Sequence, residues 1–586
     1  MPPPAPPLSI WLIKPTRYDD EGYPLQWRWS MIPANSLACV ASLVRDSLGR
    51  GVAPGARLDI IDEINTHLSV QRIIREARRR GGPAVVFLVG VQTNQFPRAL
   101  DLARAFRAGG LHVCIGGFHV SGVLAMLDEL TPELKEAQAL GVSLFAGEAE
   151  SRRLDEVLTD AAAGALKPLY DHTGDAPSLE GEPTPWLDAR LVARTFTNTG
   201  SFDLGRGCPF ECSFCTIINV QGRKSRFRTC EDLETIIRDN ARQGVTRFFV
   251  TDDNFARNRN WKAFLETLAR LKHVEGIDIR LIMQVDALAH KIPGFIDACV
   301  AAGLEQLFVG LENINSDNLD LVKKRQNRVE DYREMFLAWK KHPLVIICGY
   351  IVGFPGDTKA SILRDIEVVK RELPVDMIYL NMLTPLPGSE DHKRAMERQV
   401  WMDPDLNRYD LNHRVTRHAI MSDEDWESAF AEAHASFYSV EHMHTVLRRM
   451  AALGSNKRYT TVQYLVAYRE MMRMEGVAKL EGGLIRRRER RARRPGLPLE
   501  SPLAFYPRHY RRVVASGWAI LSTYLRLRRF MLRVTTDADR TAYRDAAIMP
   551  AEPQAADALL EGARGADLVA ARRARRATVL AIRESA

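Results

Sequence analysis

Three cysteines on one short segment are the residues best suited to chemistry in this 586-residue chain. Cys208, Cys212 and Cys215 stand in Gly-Arg-Gly-Cys-Pro-Phe-Glu-Cys-Ser-Phe-Cys, after a predicted strand, with the spacing C-x3-C-x2-C. A structural zinc site needs a fourth protein ligand, and none follows at finger-like spacing, since Cys230 lies well beyond the motif. A 4Fe-4S cluster normally takes four thiolates. Three thiolates therefore predict a cluster with one iron left open for a substrate or cofactor.

The remaining cysteines are scattered, mostly in apolar or helical surroundings, at positions 39, 114, 230, 299 and 348. Free cysteine often behaves as a small buried hydrophobe, so we predict structural roles for these five. The composition, 46% hydrophobic and 26% charged, excludes the collagen-like, disordered and disulfide-dense classes. Residues 1–7 lack the features of a signal peptide and no apolar run could span a bilayer, so we expect a cytoplasmic protein.

An α/β pattern precedes the cysteine motif. Residues 8–150 alternate apolar runs with helical segments, and we predict strands at 9–15, 58–62, 84–92, 111–117 and 142–147. The alternation predicts a doubly wound, Rossmann-like parallel sheet with ligand contacts on the loops at the carboxyl ends of its strands. Such sheets serve many functions. Residues 151–195, with clusters of Pro, Gly and Asp, predict a linker.

A second strand–helix alternation contains the cysteine motif. Residues 196–395 repeat the pattern six times, with predicted strands at 201–205, 247–252, 278–285, 306–311, 344–352 and 377–383. The six repeats predict a partial (β/α)6 barrel of the TIM type, and another open sheet is the alternative. Residues 396–550 predict a mainly helical C-terminal region, and residues 551–586 an Ala/Arg-rich tail that is helical or frayed.

The cysteine motif resembles that of the radical S-adenosylmethionine (SAM) superfamily, in which an aromatic residue precedes the last cysteine, as Phe214 does here. The resemblance implies that Cys208, Cys212 and Cys215 bind a 4Fe-4S cluster whose open iron holds the methionyl end of SAM. One electron then cleaves the cofactor to a 5′-deoxyadenosyl radical, while the protein supplies binding, orientation and exclusion of water and oxygen. Three cysteines in a structural or zinc-binding loop are the alternative.

Further residues match superfamily positions at the ends of predicted strands. The resemblance places Asp252 and Asp253 near the methionine amine of SAM, although the usual Gly-Gly-Glu is absent and a helix-cap role is equally open. It places Glu312 where relatives keep an acidic residue, and Gly353 where a small residue permits close approach to the adenosine. No catalytic residue beyond these cofactor contacts follows from the sequence.

Loops of the N-terminal sheet resemble the cobalamin-binding domain of one large subclass of this superfamily. The matching segments are Gly90-Val-Gln-Thr93, Gly116-Gly-Phe-His-Val-Ser121 and Gly147-Glu-Ala-Glu150. The resemblance implies that glycines let the backbone approach the corrin and that polar side chains bind its amide arms. The cofactor-binding residues predicted in this way are Gly90, Gln92, Thr93, Gly116, Gly117, His119, Ser121, Gly147 and Glu148.

The cobalt ligand is a separate question. The Asp-x-His-x-x-Gly motif that supplies an axial histidine elsewhere is absent, and His67 stands in a different context. The subclass therefore implies base-off cobalamin without a histidine ligand, with His119 shaping a turn rather than binding cobalt. A nucleotide or flavin is the rival ligand, although no G-x-G-x-x-G opens a helix. A domain that has lost its ligand is a further alternative.

The resemblance implies an enzyme that uses the cluster, SAM and cobalamin to methylate an unactivated carbon of a small-molecule or lipid-like substrate. An external electron donor such as flavodoxin or ferredoxin is its expected partner. Oxidative cyclisation or rearrangement without methyl transfer is the runner-up. An alternative from a different class of function is a non-catalytic iron–sulfur protein that binds membrane or nucleic acid. The sequence leaves the substrate unnamed.

Much of the net charge of +8 lies after residue 480. Residues 486–494 form a dense basic run, and residues 510–533 combine arginines with an amphipathic helical pattern. A solvated charged face on a packed helix is the first interpretation. A helix in a bilayer interface, at the inner membrane face, is the second. Nucleic-acid binding is the third and least favoured interpretation. It stays open because attraction to phosphates needs only clustered positive charge.

Overall fold

The computed structural model describes residues 7–549, so the predicted tail at 551–586 lies outside the described residues. The chain divides into two compact units. Unit 1 contains the residues up to Met283 together with Pro385–Asp410 and Lys479–Ala515. Unit 2 contains Gln284–Thr384, Leu411–Ala478 and the residues from Ser516 onward. The domain boundaries that we place after residues 150, 195 and 395 stay a prediction.

The N-terminal part of unit 1 is an alternation of strands and helices. Its elements are β1 (Ser9–Lys14), β2 (Gln26–Ser30), α1 (Asn35–Gly49), β3 (Arg57–Asp62), α2 (Val70–Arg80), β4 (Ala84–Leu88), α3 (Phe96–Ala108), β5 (His112–Gly116), α4 (Phe118–Met126), α5 (Pro132–Ala139), β6 (Ser143–Ala146), α6 (Arg153–Ala163), β7 (Leu169–Asp171) and α7 (Ala189–Val192).

Six of these strands form a parallel sheet in the order β3-β1-β4-β5-β6-β7, which confirms the predicted α/β sheet. In its centre, Ile13 of β1 lies opposite Ile61 of β3 and Leu88 of β4. Buried apolar side chains of β1, β4 and β5 pack with those of α3 into one core. The strand order reverses between β1 and β4, which is where open α/β sheets bind their ligands.

The sheet differs from the sequence prediction in its details. Strand β4 ends at Leu88 rather than at residue 92, because Gly90 takes a positive φ of +62° and a 3-10 turn, Thr93–Gln95, follows. Residues 151–195, predicted as a linker, contain α6 and β7, and β7 pairs with β6. The first sheet therefore extends into that segment.

The strands and helices of the second alternation are β8 (Thr199–Phe202), β9 (Gly205–Arg206), α8 (Ile217–Val220), β10 (Arg226–Phe227), α9 (Cys230–Arg242), β11 (Arg247–Val250), α10 (Trp261–His273), β12 (Arg280–Val285), α11 (Phe295–Ala301), β13 (Leu304–Glu312), α12 (Ser316–Leu321), α13 (Tyr332–Lys340), β14 (Val345–Val352), α14 (Lys359–Glu372), β15 (Met377–Met382) and α15 (Glu390–Glu397).

Parallel strands are found in both units. In unit 1, β11 pairs with β8 and with β12, of which only the last two residues belong to unit 2. In unit 2, β14 pairs with β13 and β15. All eight residues of β14 are buried, as expected for a parallel strand covered on both faces. These six strands and the helices that follow them confirm the strand–helix repeats predicted from the sequence.

The C-terminal region is mainly helical, as predicted. Its elements are α16 (Asp423–Phe437), α17 (Val440–Ala452), α18 (Arg458–Glu475), β16 (Gly483–Arg487) and α19 (Pro502–Thr536). The side chains of Ser422 and Ser439 cap α16 and α17. Among residues 7–549, no helix combines the length and the apolar character that crossing a bilayer requires.

The basic run at 486–494 is not the solvated helical face that one interpretation of the sequence predicts. It begins on β16, which pairs antiparallel with β2 in unit 1. The guanidinium groups of Arg486 and Arg488 are buried and lie 2.6 Å and 2.8 Å from the carboxylate of Asp19. Arg494 pairs with Asp405 at 2.7 Å. Buried charges need such partners, and these arginines are used inside the fold.

Candidate functional site

The three motif cysteines lie in unit 1 on the loop after β9. Gly207 begins the loop with a φ of +91°, and a Cβ there would lie 2.6 Å from the carbonyl oxygen of Lys224. The turn therefore needs glycine. The backbone N–H of Cys215 donates to the carbonyl oxygen of Cys212 at 3.1 Å. Cys212 is buried, and Cys208 and Cys215 are half-buried.

Three thiols on one loop suit an iron–sulfur cluster, whose irons take thiolate ligands. Among residues 7–549, no group of three or more His, Cys, Asp or Glu side chains is arranged to hold one metal ion. An iron–sulfur cluster spreads its thiolates over several irons, whereas a zinc site gathers its ligands around one ion. Burial, together with the neighbouring Cys212, raises the pKa of the Cys215 thiol to about 12. Metal binding requires the thiolate, so ligation must offset this cost.

Asp253, predicted near the methionine amine of SAM, contacts the start of the cysteine loop, and Asp252, predicted there too, contacts the residue before β9. The Oδ1 atom of Asp252 accepts a hydrogen bond from the backbone N–H of Leu204 at 2.6 Å. The carboxyl of Asp253 accepts one from the backbone of Gly207. Burial raises the pKa of both carboxyls to about 7. Asp252 therefore holds the strand that leads into the loop, and Asp253 lies against the loop itself.

A buried ion network anchors the cysteine loop. The guanidinium of Arg206, two residues before Cys208, lies 2.8 Å from Glu148, 2.7 Å from Glu150 and 3.0 Å from Asp203. Burial opposes the charge of Arg206, but the carboxylates of Asp203 and Glu150 outweigh it and raise the pKa well above its usual value. The network ties the loop after β6 to the start of the cysteine motif.

Glu148, which the resemblance predicts to bind cobalamin, also belongs to this network. Besides Arg206, it accepts a hydrogen bond from Arg226 at 2.8 Å, and its side chain is buried. The carboxylate is thus committed to two arginines of unit 1. Its geometry supports a role in positioning the cysteine loop.

The loops that follow β4, β5 and β6 pack on one another at the carboxyl edge of the first sheet. The backbone N–H of Val91 donates to the carbonyl oxygen of Gly116 at 3.0 Å, and that of Gly147 donates to Ser121 Oγ at 3.0 Å. Gly117 has a φ of +145°, and a Cβ there would lie 2.1 Å from the nitrogen of Val91. The close loop contact therefore accounts for glycine at 117.

Two other predicted cofactor glycines are also required by packing. A Cβ on Gly90 would lie 2.1 Å from Ser36 Oγ, and one on Gly147 would lie 2.6 Å from the carbonyl oxygen of His172. Both glycines also have positive φ. Gln92 differs, because its side chain is exposed at this edge of the sheet. Among the predicted polar residues of the loops, Gln92 presents an amide to solvent.

His119 is fully buried in α4. Its Nδ1 lies 3.3 Å from Thr93 Oγ1, and its Nε2 lies 3.1 Å from a carboxylate oxygen of Glu133. Both ring nitrogens and the Thr93 hydroxyl thus have protein partners. This geometry supports the interpretation that His119 shapes the turn rather than binding cobalt.

Lys14 is a residue at this edge that the sequence reasoning missed. It ends β1 at the point where the strand order reverses, and its Nζ donates to the carbonyl oxygen of Gly90 at 2.7 Å and to the side chain of Gln95. Burial lowers the pKa of Lys14 to about 8 against the opposing influence of Asp62. The sequence signal that could have indicated Lys14 is its position as the last residue of a mostly apolar strand.

His392 of α15 gives a pH-dependent prediction. Burial, with the nearby His119 contributing, lowers the pKa of His392 to about 4, whereas an unfolded histidine titrates near about 6.5. Because the unfolded chain takes up the proton first, the stability that neutral His392 contributes is complete above pH ~6.5 and is lost as pH falls through ~4. Replacing His392 with Gln should reduce the acid-induced loss of unfolding free energy by about 3 kcal/mol.

Denaturant unfolding at a series of pH values between these limits measures the effect. The wild type at the same pH values supplies the reference. Identical profiles for His392→Gln and wild type would show that the buried imidazole does not govern acid stability.

Glu312 lies in unit 2 and has a φ of +63°, in the left-handed region where a non-glycine residue is strained. Its Oε1 pairs with Lys324 Nζ at 2.8 Å. A Cβ on Gly310 would lie 2.6 Å from that same oxygen, and one on Gly349 would lie 3.6 Å from the other carboxylate oxygen. The two glycines therefore leave room for the carboxylate at the end of β13.

Gly353 also lies in unit 2, on the loop after β14. It has a φ of +96°, and a Cβ there would lie 2.3 Å from the ring of Trp426. The backbone N–H groups of Gly353 and Phe354 both donate to Asp357 at 3.0 Å, and the carbonyl oxygen of Phe354 lies 2.9 Å from His418 Nε2. C-terminal residues thus hold this loop. The ring of Trp426 leaves no room for a side chain at position 353, so this position requires glycine.

Comparison with known proteins places the cysteine loop in a family. The model of the radical SAM superfamily matches residues 203–369. Bacteriochlorophyllide d C-8(2)-methyltransferase of Chlorobaculum tepidum is 28% identical over 348 residues, which cover 56% of this chain and 73% of that protein. Hopanoid C-3 methylase of Methylococcus capsulatus is 25% identical over 399 residues, covering 64% of this chain and 71% of that protein.

A solved structure shares the fold. It is that of the cobalamin-dependent S-adenosylmethionine radical enzyme OxsB with aqua-cobalamin and S-adenosylmethionine bound. The TM-score is 0.52 at 12% identity, and the match covers 95% of this chain and 84% of that one. This likeness concerns the fold alone.

The matched residues contain the predicted cluster and SAM contacts in both units, namely Cys208, Cys212, Phe214, Cys215, Asp252, Asp253, Glu312 and Gly353. Phe214 is half-buried beside the last cysteine of the motif. A 4Fe-4S cluster and SAM are the cofactors of the matched superfamily. Residues 203–369 therefore form a radical S-adenosylmethionine domain, and this domain makes the protein an enzyme of radical chemistry.

Proposed function

We propose that this enzyme uses cobalamin together with SAM to methylate an unactivated carbon of a small-molecule or lipid-like substrate. The observation that carries the proposal is the extent of the match to methyltransferases. The two relatives described above align with 56% and 64% of the chain, well beyond residues 203–369. The doubly wound sheet of unit 1, which precedes the radical SAM domain in the chain, is the fold to which we assign the second cofactor.

In this proposal, Cys208, Cys212 and Cys215 hold three irons of a 4Fe-4S cluster, and the fourth iron is left for the methionyl group of SAM. The bound cluster supplies the electron that cleaves SAM. Cys212 is buried, so its own thiol is shielded from water and oxygen. Arg206 fixes the start of the loop through its three carboxylate partners. Asp253 offers a carboxyl against the loop to the amine of SAM.

We place cobalamin at the carboxyl edge of the first sheet, between β1 and β4. The reversal of strand order at this point supports the placement, and Gln92 presents an exposed amide there. Lys14 holds the loop through the carbonyl oxygen of Gly90. Both ring nitrogens of His119 are engaged, which favours base-off cobalamin without a histidine ligand. When bound, cobalamin supplies the methyl carrier.

The other predicted residues of these loops are proposed to shape the cobalamin-facing surface. Their contacts are with neighbouring loops, as shown for Thr93, Gly116, Gly117, Ser121 and Gly147. The radical chemistry also needs an external one-electron donor. We propose flavodoxin or ferredoxin for that role, acting in the cytoplasm.

Methylation is tested with the anaerobically reconstituted full chain, loaded with hydroxocobalamin and reduced by flavodoxin. The protein is incubated with methyl-deuterated SAM and a metabolite and lipid extract of a strain that lacks the gene. We expect a product that carries the deuterated methyl group, together with 5′-deoxyadenosine and S-adenosylhomocysteine. A new product without deuterium would contradict methyl transfer and favour cyclisation or rearrangement.

Glycine variants test the cobalamin site in the same experiment. A side chain at Gly117 must displace the backbone of Val91, so Gly117→Val is expected to lose most of its bound cobalamin and of the labelled product. Gly110 also has a positive φ, of +88°, but open space around its Cβ position. The Gly110→Val variant is therefore the matched control and is expected to retain cobalamin.

A further inference from the structure

Helix α19 exposes a row of apolar side chains. The exposed members are Leu503, Tyr506, Tyr510, Val514, Trp518, Leu521, Leu525 and Leu532. Their spacing of three, four or seven residues places them on one side of the helix. The exposure is extensive, at 89% for Leu503 and 70% for both Val514 and Trp518. A contiguous apolar surface of this kind marks a binding site more often than chance exposure.

The row is not the side by which α19 packs in the fold. In unit 1, the ring of Phe505 lies 5.3 Å from that of Tyr23. In unit 2, Leu527 and Met531 are fully buried, and Thr523 donates to a carboxylate oxygen of Glu470 at 2.8 Å. These contacts use a second side of the helix. Within residues 7–549, the apolar row stays exposed after α19 has packed.

Arginines occupy the strip of α19 between its packed side and the apolar row. At 100° per residue, the helical positions of Arg511 and Arg529 border the row, and Arg508, Arg526 and Arg533 lie next to them. All five are exposed. Residues 502–536 contain seven arginines and no Asp, Glu or Lys. Arg508 pairs with Glu500 and Glu21. The positive charge beside the apolar row therefore comes from Arg511, Arg526, Arg529 and Arg533.

We propose that α19 docks on the surface of a bilayer that contains anionic lipid. Trp518 and the tyrosines suit the depth of the lipid headgroups, and the leucines suit the boundary with the acyl chains. The arginines match the negative charge of phosphate headgroups. The helix would lie in the plane of the interface, with its packed side toward the protein.

Charge and polarity argue against the other occupants. A second copy docked through the same helix face would bring arginines against arginines, with no acidic residue of α19 to pair with them. A nucleic acid would satisfy the arginines but leave the apolar row in water. An anionic membrane satisfies both parts of the surface. This inference concerns α19 alone and does not rest on the proposed methyl transfer.

Co-sedimentation of the full chain with vesicles tests the proposal. We expect binding to mixed phosphatidylglycerol and phosphatidylcholine vesicles, weaker binding to pure phosphatidylcholine, and a decrease at high salt, because salt screens the arginines. Trp518→Asp combined with Leu521→Asp is expected to lower the partition coefficient at least about tenfold. Val274, 79% exposed at the end of α10, supplies the control substitution Val274→Asp, which should bind as the wild type does.

The charge contribution has its own matched pair. Arg528→Glu with Arg529→Glu should weaken binding to the anionic vesicles severalfold. The same charge change at exposed positions of α2, Arg75→Glu with Arg78→Glu, is expected to have a much smaller effect. If both pairs weaken binding equally, net charge rather than α19 is responsible, and the docking proposal fails.

A conservative variant guards against misfolding. Brominated acyl chains are expected to quench tryptophan fluorescence of the wild type, and Trp518→Phe should remove most of that quenching. The proposal is overturned if the wild type does not bind anionic vesicles, or if the doubly substituted Trp518 and Leu521 variant binds as well as the wild type. A dimer that this variant disrupts, without vesicle binding, would assign the row to a second copy.

Discussion

Replacing Cys212 with alanine is expected to abolish the iron–sulfur cluster and to lower formation of 5′-deoxyadenosine from SAM by about 10³-fold or more. Cys212 is the buried member of the three motif cysteines. Its loss leaves two thiols on the loop. A 4Fe-4S cluster would then have two irons without a protein ligand instead of one. The iron and sulfide content, the visible absorbance of the reconstituted protein and the yield of 5′-deoxyadenosine measure the effect.

The control for this experiment is Cys230→Ala. Cys230 is the first residue of α9 and lies outside the motif. This variant is expected to keep both its cluster and its SAM cleavage, which separates cluster ligation from a general loss of thiols. If Cys212→Ala retained the wild-type iron content and yield, the assignment of the motif to a cluster would be wrong.

The cysteine loop was predictable from the sequence because its information is local. Seven positions separate Cys208 from Cys215, and the glycine that begins the turn, Gly207, directly precedes the motif. The strand–helix repeats were predictable for a related reason, since burial on both faces makes strands such as β14 continuous apolar runs. Strand ends were less accurate, because they depend on loop contacts such as that of Gly90 with Ser36.

Features that depend on distant partners were not predictable in this way. The sequence motif predicts that Glu148 belongs to a cofactor-binding loop. The sequence does not show that the fold brings its carboxylate to Arg206, fifty-eight residues away. The positive φ of Glu312 has no sequence signature. A glycine such as Gly117 signals a close approach, but the sequence does not say whether the approaching group is a cofactor or the backbone of Val91.

The C-terminal arginines show the same limit. Their number is evident from the sequence, yet Arg486 and Arg488 are buried against Asp19, whereas Arg528 and Arg529 are exposed on α19. One basic region thus contains structural ion pairs, and the next contains a free surface. Charge density alone could not separate the two, because burial is a property of the folded chain.

Replacing Arg206 with leucine is expected to lower the free energy of unfolding by about 3–5 kcal/mol, because it removes the cation of the buried Glu150 and one of the two cations near Glu148 and near Asp203. Asp203, Glu148 and Glu150 all lie within 3.0 Å of the Arg206 guanidinium and are nearly inaccessible to solvent. Denaturant unfolding of the cofactor-free protein measures the loss. The same variant is expected to retain less cluster, since Arg206 leads directly into the cysteine loop.

Two further variants separate the network from a general effect of removing arginine. Arg223 pairs with Glu211 on the surface, with both side chains more than half exposed, so Arg223→Leu should cost no more than about 1 kcal/mol. Adding Glu150→Gln to Arg206→Leu should restore part of the lost stability, because it removes one unpaired negative charge. If the second substitution destabilised the variant further, repulsion among the carboxylates would not be the cause, and lost packing of the arginine would be the better explanation.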